Sequence, residues 1–377
     1  MRTRGLAGLL CAAALLGGTV PPARAGCAPW PEWETFKHLY VSEDGRVVDA
    51  STAQAVTVSE GQAYALTFAL VANDPTSFAK ILGWTASNLS AGDPDHVLPA
   101  WRWGHAEDGS WTVLDRNSAA DADLWMSYAL AQAGRLWHDG AYSARARAMT
   151  ALIVRDEVAL VPGLGPTVLP GPRGFVSHES WRLNASYVPL EVVRALGGSG
   201  DAALWAQLLA SSARLIVGSA PRGYAADWVR YRPDSGFSAD VATRGVGSYN
   251  AIRVYLWAGM LSKDDPQTAP LMRQLEPMAA TAARDALPES IDSITLESHG
   301  QPPAGFLAAL LPLLVHFRYD ATVQSYRKRI QAQALRDNQH YYSDVLTLFG
   351  VGWLDGRMRF DRHGDLRLPW NGSCRAD

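Results

Sequence analysis

A single carboxylic acid, Glu60, stands near the start of the apolar segment 59–66. Ser59 and Gln62 have the spacing of a capping box, which predicts a helix that begins here with Glu60 in its first turn. A carboxyl held at the mouth of a structure can donate a proton in acid catalysis. Acidic residues also suit first turns because they complement the helix dipole, so a simple capping role is the alternative.

The helix dipole creates a conflict for an acid at this position. A helix N-terminus lowers a carboxyl pKa, whereas a general acid requires a raised pKa. If Glu60 is catalytic, burial or a nearby second carboxylate must therefore overcome the dipole.

A second segment, 117–125, has the same design. Ser118 and Asp121 again have capping spacing, so Asp121 is expected in a first helical turn. Asp121 and Asp123 could be capping residues only, or a D-x-D metal clamp. Residues two apart on a helix do not share a face, which weakens the metal interpretation.

A third segment, 248–257, places Arg253 one turn after Asn250 and leads into an apolar run. Three helix starts of this kind predict three helix N-termini around one cavity. No G-x-S-x-G motif and no Gly-rich phosphate loop occurs in the sequence, and no His/Asp/Glu cluster suggests a metal site.

Most of the chain is predicted to be helical, with breaks at Pro, Gly, Asn and Asp. Repeated helix pairs with long loops on one side predict a helical toroid. The long loops are 92–116, 161–187 and 218–248, and short strands are expected at 46–48, 111–113 and 358–360. The predicted helices are 60–72, 76–88, 119–137, 142–157, 188–196, 202–217, 249–261, 268–286, 304–317, 321–334 and 342–348.

The composition is that of a globular protein with a large core. Apolar residues make up 48% and charged residues 19%, and the net charge is -3. The absence of a basic stripe argues against nucleic acid as a partner. The 14 Trp, 13 Tyr and 9 Phe residues are mostly expected in the core, but their flat faces also suit sugar rings. Trp103 and Trp111 are candidates for that role.

The first 25 residues have the pattern of a signal peptide, with Arg2 and Arg4, an apolar stretch and a small-x-small site at 23–25. Residues 26–377 are then expected to form one domain, with no membrane span after cleavage. Cys27 and Cys374 lie at the two ends of this domain. They are predicted to form a disulfide in an oxidising compartment, and two free thiols are the alternative.

Together the three segments resemble the family 8 glycoside hydrolases, in particular the periplasmic endoglucanases that accompany bacterial cellulose synthesis. The resemblance implies an all-α fold, an (α/α)6 barrel with a few short strands, that hydrolyses internal β-1,4-glucan links with inversion and needs no cofactor. It is carried by segments spread over most of the chain: 30–33, 59–66, 69–74, 108–111, 119–137, 227–231, 248–260 and 341–353.

The resemblance also implies roles for individual residues. Glu60 matches the proton donor of the family. Asp121 matches a motif aspartate that we expect to grip the sugar at the cleavage point, because an inverting reaction needs no covalent nucleophile. Arg253 matches an arginine beside the catalytic base, and Tyr187 matches a tyrosine of the cleft, although Ala185 replaces the usual proline of that motif.

One departure from the family pattern concerns the catalytic base. The motif S-Y-D-A-I-R has its base at the aspartate, and this chain has Asn250 there. An amide does not accept a proton at neutral pH. Another loop carboxylate could replace the base (Asp227, Asp234 or Asp240), the chain could be an impaired enzyme that mainly binds glucan, or the asparagine could be an engineered change.

The sequence therefore predicts a secreted or periplasmic endo-β-1,4-glucanase, a monomer, with cellulose as substrate and the cellulose synthase export complex as a partner. The alternative is a glucan-binding subunit of that machinery with little turnover. A β-glucanase or chitosanase specificity also stays open, because a family does not determine the sugar.

Overall fold

In a computed structural model of the chain, residues 29–334 and 340–372 are described. Helices dominate these residues. They are α1 (Pro31–Tyr40), α2 (Ser59–Val71), α3 (Pro75–Asn88), α4 (Ala120–Leu136), α5 (Gly140–Glu157), α6 (Leu190–Leu196), α7 (Ala202–Ser219), α8 (Ala251–Met260), α9 (Thr268–Ala283), α10 (Ala304–His316), α11 (Asp320–Ala334) and α12 (Tyr341–Leu354).

Six helices form an inner ring, namely α2, α4, α6, α8, α10 and α12. Each consecutive pair in this series packs together. Phe68 of α2 meets Phe349 of α12 with ring centroids 4.6 Å apart, which closes the ring. The outer helices α3, α5, α7, α9, α11 and α1 pack on this ring, and α9 contacts both α8 and α10. This arrangement confirms the (α/α)6 barrel.

The inner and outer helices differ in how their sequences are buried. In α2, Glu60 is the one residue that is only partly buried, and the other twelve are fully buried on every side of the helix. In α3, burial is confined to one side, at Phe78, Ile81, Trp84 and Thr85. An all-round apolar helix must lie inside a protein, and a one-sided helix must lie at its surface.

Glycines allow the inner helices to approach closely. A Cβ on Gly350 of α12 would clash with the carbonyl oxygen of Ala308 in α10. This contact lies beyond residue 348, where the sequence pattern predicted the end of the helix, and α12 instead continues to Leu354. The predicted helices otherwise agree with the structure to within a few residues, but α1 was missed.

The long loops contain short antiparallel strands. The expected strands at 111–113 and 358–360 overlap β3 and β13, but residues 46–48 make only an isolated bridge, Val41 with Val47. The strands are β1 (Thr57–Val58), β2 (Arg102–His105), β3 (Trp111–Asp115), β4 (Val158–Val161), β5 (Gly165–Val168), β6 (Val176–Ser177), β7 (Ser180–Leu183), β8 (Val229–Arg232), β9 (Gly236–Ala239), β10 (Val246–Gly247), β11 (Ser290–Asp292), β12 (Ser298–His299), β13 (Arg359–Phe360) and β14 (Leu366–Arg367).

Within the described ranges, no helix combines the length and the apolar character that crossing a bilayer requires. The predicted signal peptide and both Cys27 and Cys374 lie outside the described residues.

Candidate active site

A cavity of about 220 Å³ opens where α2, α8 and α12 begin. Charged, amide and aromatic side chains meet in it, so a ligand there would meet both hydrogen-bonding groups and flat apolar faces. Its lining consists of Val58, Glu60, Gly61, Tyr64, Tyr249, Asn250, Arg253, Tyr341, Tyr342 and Val345. Asp121 does not line the cavity itself but is bonded to Arg253 behind its wall.

The start of α2 differs from the capping box that its sequence predicts. Val58 is the N-cap, and the Ser59 hydroxyl has no hydrogen-bond partner among the described residues. Gln62 points into the protein, where its amide accepts from the backbone N–H of Val47 at 2.6 Å and donates to the Thr85 hydroxyl at 2.8 Å. The prediction was wrong because a helix buried on every side must satisfy its polar side chains inward.

Glu60 is in the first turn of α2, as predicted, and lines the cavity. Its Oε1 accepts a hydrogen bond from the indole N–H of Trp101 at 3.2 Å, and its Oε2 has no partner in the described chain. Burial raises the pKa of Glu60 to about 8, and the negative charge of Asp121 adds to the effect. Arg253 and Trp101 oppose this rise. Burial therefore resolves the conflict with the helix dipole.

Asp121 is in the first turn of α4 and is completely buried. Its Oδ2 accepts from Nη1 of Arg253 at 2.6 Å. Burial raises the pKa of Asp121, and the Arg253 charge acts in the opposite direction. Ser118 does not cap this helix, because Ala119 is the N-cap and the Ser118 hydroxyl donates to Oε1 of Glu157 at 2.5 Å.

Arg253 joins the groups of the site to one another. Nη1 also donates to the hydroxyl of Tyr64 at 2.8 Å, and Nη2 donates to Oδ1 of Asn250 at 2.8 Å. The guanidinium carbon lies 5.5 Å from the ring centroid of Tyr187. One buried cation thus holds Asp121, Asn250 and Tyr64 in a fixed relation.

Asn250 presents a donor to the cavity. Its Oδ1 accepts from Arg253 and also from Nδ2 of Asn184 at 3.2 Å, so both acceptor positions of the amide oxygen are taken. The amide nitrogen can only donate. This side chain can hold a hydroxyl or a water oxygen, but it cannot take a proton from water.

The three loop carboxylates that could replace a base have different surroundings. Asp227 accepts from the backbone N–H groups of Ser248, Asn250 and Ala251 through one oxygen, Oδ1, and so caps α8. It lies beside Asn250 but does not line the cavity. Burial raises the pKa of Asp227, against these three hydrogen bonds.

Asp240 and Asp234 are held elsewhere. Asp240 is buried against Arg182, with Nε to Oδ1 at 3.1 Å, and near Arg230 at 3.5 Å. Asp234 is exposed in the turn between β8 and β9, where it pairs with Arg232 at 3.4 Å. Both carboxylates are accounted for by these structural pairs.

Trp103 and Trp111 do not line the cavity. They stack on each other in β2 and β3, with centroids 5.2 Å apart, and the Arg46 guanidinium lies 4.4 Å from the Trp103 centroid. Half of the Trp111 surface is exposed. Their proposed contact with substrate stays a prediction.

Sequence reasoning missed several members of the site. Trp101 donates to Glu60, and Asn184 orients Asn250, yet each comes from a long loop. Asn184 stands in the same short motif as Tyr187, which was the available signal. The aromatic pair Tyr341 and Tyr342 at the start of α12 offered a second signal, since it repeats the pattern of a polar helix start.

Asp121 and Asp123 do not form a metal clamp, since Asp121 contacts Arg253 and Asp123 contacts Glu157. Among the described residues no group of three or more His, Cys, Asp or Glu could hold a metal ion.

Comparison with known proteins connects this geometry to a family. The family described as glycosyl hydrolases family 8 matches residues 16–356. An endoglucanase of Xanthomonas axonopodis pv. citri (strain 306) is 44% identical over 97% of this chain and 94% of its own length. An endoglucanase of Escherichia coli O157:H7 is 42% identical over 93% of this chain and 94% of its own length.

Solved structures give the same result. The endo-1,4-D-glucanase from Vibrio fischeri ES114 superimposes with a TM-score of 0.88 at 44% identity, covering 90% of this chain and 99% of that one. A family 8 endo-β-1,4-glucanase from an Achatina fulica gut metagenomic library superimposes with a TM-score of 0.72 at 26% identity, covering 86% and 96%.

Proposed function

Because the chain belongs to glycosyl hydrolases family 8 and is a glycoside hydrolase, we propose that it is an endo-β-1,4-glucanase that cuts internal links of cellulose with inversion. The observation that carries the proposal is the Glu60 carboxyl. It stands in the cavity wall with a pKa raised to about 8, so it is protonated at neutral pH and can act as an acid. The names of the similar endoglucanases support the choice of substrate.

Glu60 acts first in the proposed reaction. Its proton passes to the glycosidic oxygen as the bond to the anomeric carbon breaks, which removes the need to expel an alkoxide. Trp101 steadies the carboxylate that remains, because its N–H donates to Oε1. The pKa of Glu60 suits this role, since an acid works best when its pKa is near the operating pH.

Asp121 and Arg253 hold the sugar at the cleavage point in this proposal. Arg253 lines the cavity and carries Asp121 on its inner side, so a sugar hydroxyl bound there meets a preorganised ion pair. Tyr187, whose ring lies beside the guanidinium, is assigned to the same subsite. Trp103 and Trp111 are assigned to sugar units farther along the chain.

Water activation is the weak step. An inverting glycosidase needs a carboxylate to deprotonate the attacking water, at roughly 6.5–9.5 Å from the acid. In this chain the residue that matches the base is Asn250, which lines the same cavity as Glu60 and offers an amide nitrogen. We propose that Asn250 holds the water without deprotonating it. The proton that the water loses on attack then passes to bulk solvent, so the chain turns over slowly compared with family members that carry aspartate there.

The second candidate function follows from the same observation. A site with an intact sugar-binding half and no base can serve as a glucan-binding subunit of the cellulose export machinery. The amide at position 250 supports this alternative, because both acceptor positions of its oxygen are already taken. Measuring sugar release from a glucan distinguishes the two functions, because only the enzyme produces it.

We place the protein in the periplasm or outside the cell, next to the cellulose synthase export complex. The signal-peptide pattern of residues 1–25 and the resemblance to cellulose-associated endoglucanases support this location. Cell fractionation of the native host tests it: the chain is expected with periplasmic or secreted proteins, and recovery in the cytoplasm would contradict the assignment.

Reducing-sugar release from carboxymethylcellulose tests the proposed activity. An endo-acting enzyme lowers the viscosity of the polymer long before many reducing ends accumulate. Proton NMR of cellopentaose hydrolysis is expected to show the α-anomer first, which is the inverted product. Binding of cellopentaose without any product after long incubation would favour the glucan-binding function instead.

A further inference from the structure

Two buried carboxyl groups lie directly behind the candidate active site and have no role in the proposed reaction. Asp123 is in the first turn of α4, Glu157 is the last residue of α5, and both are completely buried. No donor among the described residues reaches either oxygen of Asp123 or Oε2 of Glu157, and the two carboxyl groups are each other's side-chain hydrogen-bond partners once a proton lies between them. A hydrogen bond between two carboxyls needs a proton on at least one of them.

The side chain of Glu157 contacts two residues that flank Asp121 in the sequence, Ser118 before it and Asp123 after it. Its Oε1 accepts from the hydroxyl of Ser118 at 2.5 Å, and the Asp123 carboxyl is its second partner. These contacts form a junction between the end of α5 and the start of α4. A backbone hydrogen bond also holds Glu157 there, since the N–H of Leu169 donates to the carbonyl oxygen of Glu157 at 2.7 Å. One side chain from α5 thus holds the chain three residues before and two residues after Asp121.

The surroundings of the pair favour the neutral form. Burial raises the pKa of Asp123 well above its ordinary value, and the charges of Glu157, Asp121 and Glu60 raise it further. Burial raises the pKa of Glu157 to about 8; Asp121 and Asp156 add to the rise, whereas its bonds to Ser118 and Asp123 lower it. No cation of the described residues forms a salt bridge with either carboxyl.

We propose that Asp123 and Glu157 are positioning residues that share a proton and fix the start of α4, so that Asp121 keeps its place against Arg253. The proton is a structural part of the junction, because two ionised carboxylates would repel each other across it. Among the described residues Asp121 forms one salt bridge, with Arg253, and a shift of its helix start would break that 2.6 Å contact. The proposal rests on the proposed glucanase reaction for its kinetic test only.

Two substitutions at one position separate a positioning role from simple packing. In Asp123→Asn, the amide N–H₂ donates to Glu157 and no shared proton is required, so the junction is kept. Asp123→Leu has a similar shape but cannot bond to Glu157. Since a misplacement of about 1 Å can cost about 100-fold in rate, we expect Asp123→Leu to lose at least about tenfold in kcat on cellopentaose. Asp123→Asn is expected to stay within about threefold of wild type, with KM little changed in both.

Glu191 provides the matched control. It is a buried carboxyl in α6 whose pKa is also raised to about 8 by burial, and it has no hydrogen-bond partner among the described side chains and no place in the cavity lining. Glu191→Gln is expected to leave kcat unchanged. If Asp123→Leu does not fold, Ser118→Ala removes the other contact of Glu157 and is expected to lower kcat several-fold.

Infrared spectroscopy detects the shared proton without any activity. The carbonyl stretch of a protonated carboxyl is expected in wild type at neutral pH, and part of it is expected to disappear in Asp123→Asn, because Glu157 then ionises against two donors. No such loss, or equal kcat for wild type, Asp123→Asn and Asp123→Leu, would overturn the proposal. An inactive wild type would refute the glucanase function, while the infrared result would still decide whether the proton exists.

Discussion

The starts of α2 and α8 line the same cavity, yet they offer it opposite hydrogen-bonding groups. At the start of α2, Glu60 is a carboxyl with one oxygen free of partners in the described chain and a raised pKa. At the start of α8, the oxygen of Asn250 is engaged by Arg253 and Asn184, and only its N–H₂ group remains. One side can release a proton, and the other cannot accept one.

For the catalytic pair proposed above, this contrast means that the two halves depend on different features. The acid half depends on burial, which the apolar packing of α2 supplies together with the Asp121 charge. The base half depends on one residue type. Its surroundings, namely Arg253, Asn184 and the Asp227 cap, are complete even though the carboxylate is missing.

The largest effect is expected from removing the acid. Glu60→Gln keeps the shape of the side chain and an oxygen for Trp101, but it has no proton to give. We expect kcat on carboxymethylcellulose to fall by about 10²–10⁴-fold. Cellopentaose binding, measured by calorimetry, serves as the control and should be retained. A variant within a few-fold of wild-type activity would mean that the acid lies elsewhere.

The next largest effect is expected at the position of the missing base. In Asn250→Asp, Arg253 and Asn184 can continue to donate to one oxygen, while the second oxygen becomes free to accept a proton from water. The Arg253 charge favours the ionised form. We expect kcat to rise by at least about tenfold, within the range of a positioned base, with little change in substrate affinity.

A kcat that does not rise in Asn250→Asp would show that another carboxylate already acts as base. Asp227→Asn would then identify it, because the amide oxygen can still cap α8 and only the carboxylate is lost. Asp234→Asn is the matched control, since Asp234 is exposed, contacts only its near neighbours Arg232 and Ser235 among the described residues, and does not line the cavity. A fall in kcat for Asp227→Asn and none for Asp234→Asn would assign the base to Asp227.

Much of the fold follows from the sequence, because apolar runs of helical length with breaks at Pro, Gly and Asn define most of the helix pairs. The short α1 was missed, since its charged residues hide the buried face formed by Trp33, Phe36 and Tyr40. Both capping boxes were wrong for one physical reason. Spacing reports which residues can bond locally, whereas Gln62 and Ser118 found stronger partners in neighbouring helices.

The site was predictable only in part. Glu60, Asn250 and Arg253 stand at helix starts, and a barrel brings its inner helix starts together, so their meeting follows from fold and spacing. Trp101 was not predictable, because its contact with Glu60 depends on the path of the loop between α3 and β2. The Asp123–Glu157 contact likewise joins residues from two helices whose relative register no local pattern encodes.

The smallest effect concerns this missed tryptophan and tests the origin of the Glu60 pKa. The hydrogen bond from Trp101 stabilises the carboxylate and so lowers the pKa of Glu60 against the larger effect of burial. Trp101→Phe removes that donor, so the protonated acid is favoured. Because the acid form is the active one, the alkaline limb of the pH–rate profile, expected near pH 8 in wild type, should move to higher pH by about one unit or less. Trp137→Phe is the control, since its indole donates to Asn73 at 2.9 Å, outside the cavity. A limb that stays in place would show that burial and Asp121 alone determine the acidity of Glu60. A shift to lower pH would show that Trp101 acts by excluding water from Glu60 more than by donating to it.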